Sequence, residues 1–167
     1  LNGDISGLND LQLLEYYKIY CERLGLDSAS KPFQIIAFKD GRKTLYCTRE
    51  GGQQLSKIND VSHQITDRQF RDSKEGQILL VTARAILPIN RFSESIGVVP
   101  LYKQDGTWEF NPKTGKNYFK PNGKYISLVG EDYCNQIMKC EPKAKRRATL
   151  DLLGLGILEE QEVNDIP

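Results

Sequence analysis

Apolar residues in the first third of the chain recur every three or four positions, the spacing of a helix that buries one face. The repeat begins after Asn9 and continues through Leu11, Leu14, Tyr17, Cys21 and Leu24. Asn9 or Asp10 is suited to cap the start of such a helix, and Gly25 is suited to follow its end. The pattern therefore predicts an amphipathic N-terminal helix.

Two short apolar runs follow, at residues 32–38 and 44–48, and they flank the dipeptide Asp40-Gly41. Apolar runs on either side of Asp-Gly are typical of a β-hairpin. A short helix is predicted next, over residues 49–58, despite Gly51 and Gly52. These glycines weaken a helix and allow another segment to approach its backbone closely.

Further strands are predicted at residues 61–70, 77–87 and 92–101, the second apolar enough to lie centrally in a sheet. Residues 102–124 predict a long loop or an exposed hairpin. Helical spacing returns over 131–153, with a break or a restart at Pro142.

We therefore expect one α+β domain over 1–167: a small antiparallel sheet with hairpins, backed by an N-terminal helix and a basic C-terminal helix. Residues 1–8 are expected to form a flexible lead-in, and residues 158–167 an acidic tail.

Composition narrows the possible functions only a little. The chain has 167 residues, of which 39% are hydrophobic and 27% charged, so a real core is expected. The 23 basic and 22 acidic residues leave a net charge of +1. Binding to nucleic acid would therefore require the positive charges to be segregated onto one surface.

The four cysteines form no Cys-x-x-Cys pair, and His63 is the only histidine. A structural zinc site is not expected from these ligands, and reduced thiols in a cytoplasm are the better expectation. No apolar run reaches the roughly 18 residues of a membrane span, so no membrane partner is expected.

Five cations fall within nine residues, interrupted by Glu141: Lys139, Lys143, Lys145, Arg146 and Arg147. If a helix starts at Pro142, a favoured first-turn residue, three of them share one face: Lys143, Arg146 and Arg147. Ala144, Ala148 and Leu152 then lie roughly opposite. Such a helix can pack on a sheet and bind phosphates without reading sequence. The alternative is an ordinary solvated helix face.

Aromatic residues add a second feature of single-strand binding, because rings stack on unpaired bases with about 1–3 kcal/mol each. The candidates are Tyr46, Trp108, Tyr118, Phe119 and Tyr133. Most aromatic residues in a domain belong to its core, and that alternative applies to these as well.

Two parts of the sequence resemble the annealing core of the RecT/Redβ family. Residues 142–150 read Pro-Lys-Ala-Lys-Arg-Arg-Ala-Thr-Leu, and 153–160 read Leu-Gly-Leu-Gly-Ile-Leu-Glu-Glu. They are similar to the family's basic helix, short apolar stretch and acidic residues. Residues 20–27, 35–38 and 48–52 are similar to its helix, strand and glycine-containing helix, in that order. The resemblance covers about half the chain and leaves 60–130 unaligned.

This resemblance implies an ATP-independent, phage- or prophage-encoded protein that binds single-stranded DNA and anneals it to a complementary strand during homologous recombination. It also implies a homo-oligomeric ring or filament, a partner exonuclease and the cytoplasm of a bacterial host. The DNA would lie in a basic groove. Carried over onto this chain, the DNA-binding candidates are Lys143, Lys145, Arg146 and Arg147, with Lys139 nearby. Arg49 is a weaker candidate, equally well explained as a surface arginine beside a loop.

Two other classes of function remain open. A metal-dependent nuclease would need carboxylates such as Asp67, Asp72, Glu94, Glu131 and Asp132, but their spacing forms no known signature. His63 has no evident partner, so we expect no catalytic residue, metal or cofactor. A phage accessory protein acting through protein–protein contacts is the other alternative, with the acidic tail docking a basic partner or covering the basic helix. Steep salt dependence would favour DNA binding.

Overall fold

A computed structural model describes residues 4–38 and 40–156. Its elements, in chain order, are α1 (Asp10–Arg23), β1 (Phe33–Ala37), β2 (Lys43–Cys47), α2 (Arg49–Ile58), β3 (Ser62–Asp72), β4 (Gln77–Ile86), β5 (Phe92–Pro100), β6 (Tyr102–Asn111), β7 (Lys116–Ser127) and α3 (Gly130–Leu152). A single 3₁₀ turn, Ser28–Ser30, precedes β1. The predicted α+β class, with an N-terminal and a C-terminal helix, is confirmed. The predicted acidic tail lies outside the described residues.

The strands form three small antiparallel sheets where one was expected. They are the pair β1–β2, the triplet β3–β4–β5 and the pair β6–β7. A register shift between Ile65 and Asp67 adds a residue to β3 relative to β4. Residues 102–124, for which a loop and a hairpin were both considered, belong to the β6–β7 hairpin.

Helix α1 packs on the β1–β2 hairpin and starts as the sequence predicted. The Asn9 side chain accepts from the Gln12 N–H at 3.0 Å, and the Gln12 side chain accepts from the Asn9 N–H at 3.0 Å. This reciprocal capping box satisfies two donors that helix geometry leaves unpaired. The rings of Tyr17 and Tyr20 then meet Phe33 edge to face.

Part of the predicted flexible lead-in is attached to this layer. Ile5 is buried in the same core as Leu13 and Phe33. Its N–H donates to the Lys43 carbonyl oxygen at 2.8 Å, which joins the lead-in to the start of β2. Burial of an apolar side chain together with a backbone hydrogen bond explains why residues 4–8 are held against the hairpin.

Helix α3 covers one face of the triplet sheet. Alternate residues of β4 point toward it and are buried: Leu79, Val81, Ala83 and Ala85. Cys140, Ala144 and Ala148 of α3 are 0% exposed, and these small side chains let the helix lie close to the sheet. The apolar run at residues 77–87, predicted to lie centrally in a sheet, is therefore confirmed as the middle strand of the triplet.

The expected break at Pro142 is wrong, because α3 continues through this residue. A proline inside a helix removes one backbone hydrogen bond and costs about 3 kcal/mol or more. Burial of Cys140 and Ala144 on either side of Pro142 compensates for this cost. The prediction weighed only the local rule and missed the packing that opposes it.

Three hydrophobic clusters meet at the C-terminal half of α3, one of them formed by Ala85, Ala148 and Leu152. Leu150 belongs to the core around α1, α2 and the first hairpin, whereas Ala144 belongs to the core between α3 and the triplet sheet. Helix α2 lies against α3 at this junction. None of the helices in the described part of the chain has both the length and the apolar character needed to cross a membrane.

Candidate nucleic-acid interface

A cleft of about 310 Å³ lies where α2, α3 and the start of β3 meet, and we call it the α2–α3 cleft. Its walls bring together residues from two distant parts of the chain: Arg49, Gly52, Gln53, Ser56, His63, Pro142, Lys145, Arg146 and Thr149. Three of these side chains carry a positive charge. The remainder are chiefly small or polar groups that can donate hydrogen bonds.

Helix α2 contributes Arg49 from its first turn. Thr48 caps the helix, and its hydroxyl accepts from the Gly51 N–H at 3.2 Å. The N-terminal end of a helix carries partial positive charge, so an arginine there adds to a potential that already favours anions. Arg49 is exposed, so its guanidinium is accessible to a ligand in solution.

The two glycines of α2 let other segments approach its backbone. A Cβ on Gly51 would collide with the backbone carbonyl of Pro32. A Cβ on Gly52 would lie 3.0 Å from Cγ of Arg146. The predicted close approach is therefore present at both positions, and at Gly52 the approaching group is a cation of the cleft.

Arg146 is positioned by its aliphatic stem as well as by its charge. The stem packs over Gly52, and the guanidinium lies 5.5 Å from the centre of the Tyr46 ring. This distance allows a cation–π interaction with a buried ring. Tyr46, a candidate for base stacking, thus supports Arg146 from the core.

Lys145 is held by a carboxylate one helical turn earlier. Its ammonium lies 2.6 Å from Glu141, which also pairs with Arg68 of β3 at 2.9 Å. Hydrogen bonds from Lys145 and then Arg68 lower the pKa of the Glu141 carboxyl. Glu141 therefore stays ionised at neutral pH and offsets part of the positive charge beside the cleft.

A chain of hydrogen bonds joins the three elements at the cleft. Nε2 of His63 lies 2.8 Å from the Thr149 hydroxyl, which lies 3.2 Å from the Ser56 hydroxyl. The Thr149 hydroxyl donates to the Lys145 carbonyl oxygen at 3.0 Å, so it accepts from His63, and the histidine proton lies on Nε2. Burial and then the Lys145 charge lower the pKa of His63, which favours the neutral ring.

The cations predicted from the basic segment separate onto different sides of α3. Lys145 and Arg146 line the α2–α3 cleft. Lys143 reaches the opposite flank, where its ammonium lies 3.4 Å from the Val98 carbonyl oxygen of β5. Lys139 is exposed one turn earlier, beside Gln136. Neither these two residues nor Arg147, which is half-buried, lines the cleft.

Sequence analysis missed the polar residues of the cleft: Gln53, Ser56, His63 and Thr149. Ser56 and Thr149 are 93 residues apart, and His63 and Thr149 are 86 apart. Their convergence leaves no signal in a local pattern. Arg49 was the one distant residue that the family resemblance had marked.

The described residues contain no group of three or more potential metal ligands of the kinds His, Cys, Asp and Glu. Among the cysteines, Cys21, Cys47 and Cys140 are buried, and Cys134 is exposed. Comparison with known proteins found no protein-family model and no curated protein that matches the chain.

Proposed function

We propose that this chain binds single-stranded DNA in the α2–α3 cleft and anneals it to a complementary strand without ATP. The observation that supports the proposal most directly is the convergence of Arg49, Lys145 and Arg146 in one cleft. The sequence resemblance to the RecT/Redβ family is the reason for proposing annealing. The cleft provides a surface suited to a phosphate backbone.

The cleft suits a backbone phosphate for three reasons. Guanidinium groups donate paired hydrogen bonds to phosphate oxygens, and two of the three cations are arginines. The first turn of α2 adds a favourable dipole beside Arg49. The ammonium of Lys145 adds a third positive charge beside the two guanidinium groups. In the proposed mode these groups contact phosphates, which carry no sequence information, so the binding is independent of sequence.

The size of the cleft argues for a single strand. A volume of about 310 Å³ lies at the lower end of the range for pockets that hold small molecules. A cleft of this size has room for a short segment of one strand. One subunit would thus hold a short piece of one strand and leave neighbouring bases available for pairing.

Annealing requires no catalytic group. Two strands repel through their phosphates, and cations that neutralise one backbone release its counterions and lower that barrier. Assembly of many subunits on one strand would then raise the effective concentration of sites. Through the resemblance, the proposal also includes a homo-oligomeric ring or filament and a partner exonuclease. The protein would be phage- or prophage-encoded and act in the cytoplasm of a bacterial host.

The open face of the triplet sheet is a candidate contact between subunits. The face opposite α3 carries apolar side chains that are exposed or half-exposed: Ile78, Leu80, Phe92, Ile96 and Val98. An apolar strip of this kind is more common at interfaces between proteins than on isolated surfaces. The same face supports the second candidate function, an accessory protein that acts through protein–protein contacts.

The test measures annealing of two complementary labelled oligonucleotides without ATP across a salt series. The test variant is Arg49→Ala/Arg146→Ala, which removes two cleft cations. The matched control is Lys139→Ala/Lys143→Ala, which removes the same charge from α3 outside the cleft. Thermal unfolding of each variant checks that the fold is retained.

We expect the wild type to accelerate annealing and to lose affinity steeply as salt rises. The cleft variant should release fewer counterions, so the slope of log affinity against log salt should fall by about 0.7 for each lost phosphate contact. The control should anneal nearly as the wild type does. A defect in the control alone would place the DNA on the flank with Lys143. Failure of the wild type to bind at low salt would favour the protein-interaction function.

A further inference from the structure

The β6–β7 hairpin, residues 102–127, is an exposed arm that the proposed cleft does not use, and we call it the β6–β7 arm. Eleven of the twelve residues of β7 are exposed. Trp108 is 72% exposed and Phe110 is 63% exposed, which is unusual for such large apolar side chains. Exposed aromatic residues close together on one strand are typical of a binding surface for a ligand or partner.

Strand pairing sorts the arm's side chains onto two faces. Trp108 pairs with Phe119, and Phe110 pairs with Asn117. Directly opposed residues share a face, as do alternate residues of one strand, so Trp108, Phe110 and Phe119 form one aromatic face. The other face carries polar and charged side chains of the next positions along: Thr107, Glu109, Tyr118 and Lys120.

The aromatic face has a built foundation. A Cβ on Gly106 would lie 2.8 Å from the tip of the Phe119 ring, so the glycine makes room for this ring. Phe119 is half-buried there and meets Trp108 edge to face, with 5.6 Å between the ring centres. Phe119 therefore supports the Trp108 ring, which presents its remaining surface to solvent.

The arm also carries a net positive charge. Residues 102–127 contain five lysines and two acidic residues, a net charge of +3, whereas the whole chain carries +1. The acidic pair is engaged locally: Glu109 binds Tyr118 and Lys120, and Asp105 binds Asn122. Among the described residues, Lys113, Lys116 and Lys124 have no ion-pair partner.

We propose that the aromatic face stacks on unpaired bases of single-stranded nucleic acid, while the arm's lysines neutralise its backbone. Charge complementarity selects this ligand, since a purely apolar protein partner would leave the surrounding lysines unused. Trp108 and Phe110 lie two residues apart on one strand, about 7 Å. That distance is about twice the 3.4 Å rise per nucleotide of a DNA strand, so each ring has room for its own base.

This inference extends the proposed function to a second surface, which would hold bases while the α2–α3 cleft holds the backbone. Stacking of bases on aromatic rings tolerates any sequence. Bases held apart on the arm would be displayed for pairing, which complements the annealing activity proposed above.

Trp108 is the only tryptophan in the chain, so tryptophan emission, excited selectively over the eight tyrosines, reports on the arm alone. The experiment titrates the protein with oligo(dT) and with an abasic oligonucleotide of the same length and charge. We expect oligo(dT) to quench the emission and the abasic strand to leave it nearly unchanged. Equal quenching by both strands would overturn the proposal. So would oligo(dT) that binds, as detected by an independent label, without quenching Trp108.

Variants separate stacking from folding. Phe110→Ala keeps the reporter, and Trp108→Ala removes it, so affinities are measured by anisotropy of a labelled oligo(dT). Each should bind about 5- to 150-fold more weakly, with little change for the abasic strand. Trp108→Phe should recover most of the affinity. Thr107→Ala, on the opposite face, is the matched control, and equal losses in it would contradict stacking.

The two surfaces fail in distinguishable ways. If Arg49→Ala/Arg146→Ala loses binding to both strands while Trp108→Ala binds oligo(dT) as the wild type does, the cleft stands and the arm proposal fails. If oligo(dT) still quenches Trp108 in the cleft variant with wild-type affinity, the arm stands and the cleft fails. Quenching that depends on protein concentration without any nucleic acid would instead identify a second copy of the chain as the occupant, and would overturn the proposal.

Discussion

The α2–α3 cleft and the β6–β7 arm both carry positive charge, but they hold it differently. In the cleft, Lys145 is paired with Glu141, and Arg146 is packed over Gly52 and Tyr46. In the arm, Lys113, Lys116 and Lys124 sit on a hairpin whose residues are mostly exposed. Arg146 is thus fixed by long-range packing and Lys145 by an ion pair within α3, whereas the arm cations depend only on a local strand pairing.

Because of this difference, the two surfaces are suited to different parts of the proposed function. A preorganised cation loses little entropy when a phosphate binds, so the cleft is suited to hold a backbone in one position. A two-stranded hairpin is only marginally stable alone, and its long lysines adapt to a strand of any sequence. The arm is therefore suited to adaptable contacts with bases, and changes to α3 should affect the cleft and spare the arm.

The largest expected effect comes from Gly97→Val, which separates α3 from its sheet. A Cβ at Gly97 would lie 2.6 Å from the Cys140 carbonyl oxygen and 2.7 Å from the Ala144 nitrogen. The helix must move, which should lower the free energy of unfolding by about 3 kcal/mol. Urea unfolding followed by circular dichroism measures this loss.

The same substitution distinguishes the two surfaces. Because α3 carries Lys145 and Arg146, binding of an abasic oligonucleotide should weaken, while quenching of Trp108 by oligo(dT) should persist in the folded fraction. Gly7→Val, where no atom lies within 4 Å of the added Cβ, is the control and should be nearly neutral. A stable Gly97→Val protein would contradict the close packing of α3 on β5.

Glu141→Gln should have a smaller effect, in the direction of tighter binding. The substitution removes the carboxylate that offsets Lys145 and Arg68 while keeping a similar shape. Binding of the abasic strand at about 0.1 M salt should tighten about two- to fivefold. The loss of these partly exposed pairs should cost less than about 1 kcal/mol of stability.

The control for this prediction is Glu131→Gln, which changes the same charge in the first turn of α3. It should leave affinity nearly unchanged, because the effect of an exposed charge is screened within about 10 Å at 0.1 M salt. Equal tightening by both variants would show that net charge, and not the cleft, governs binding.

Local patterns were sufficient for the elements of the fold and insufficient for the cleft. The apolar run of β4 and the capping signal at Asn9 each depend on neighbouring residues, and both predictions are confirmed. The continuity of α3 through Pro142 depends on distant packing, and that prediction was wrong. For the same reason the sequence grouped Lys143 with Arg146, although Lys143 lies beside β5 and Arg146 lies beside α2.

The arm shows the intermediate case. Its aromatic residues and lysines are contiguous, so the sequence marked residues 102–124 as unusual. Which rings share a face depends on register, and the irregularity between Gln104 and Gly106 could not be read from composition. Trp108 and Tyr118 were both candidates for stacking, but pairing places them on opposite faces.

The smallest effect, and the one most specific to the cleft, concerns His63. Burial and then the Lys145 charge lower its pKa below the ordinary value of 6.5. As the pH falls through about 6.5, the unfolded chain takes up a proton before the folded chain does, so the free energy of unfolding should decrease slightly below that pH. Above pH 6.5 the contribution is complete, and His63→Gln should remove the slope.

A phosphate in the cleft should reverse this shift, because an anion near the ring favours its protonated form. His63 is the only histidine, so its ring resonances in a proton NMR titration are unambiguous. We expect the pKa to rise when an abasic oligonucleotide is added, and affinity for that strand to increase as the pH is lowered from 7.5 to 5.5. The arm contains no histidine, so quenching of Trp108 should not follow this pH dependence. If the pKa of His63 does not change when the strand binds, the phosphates lie elsewhere, even if Arg146 proves necessary for binding.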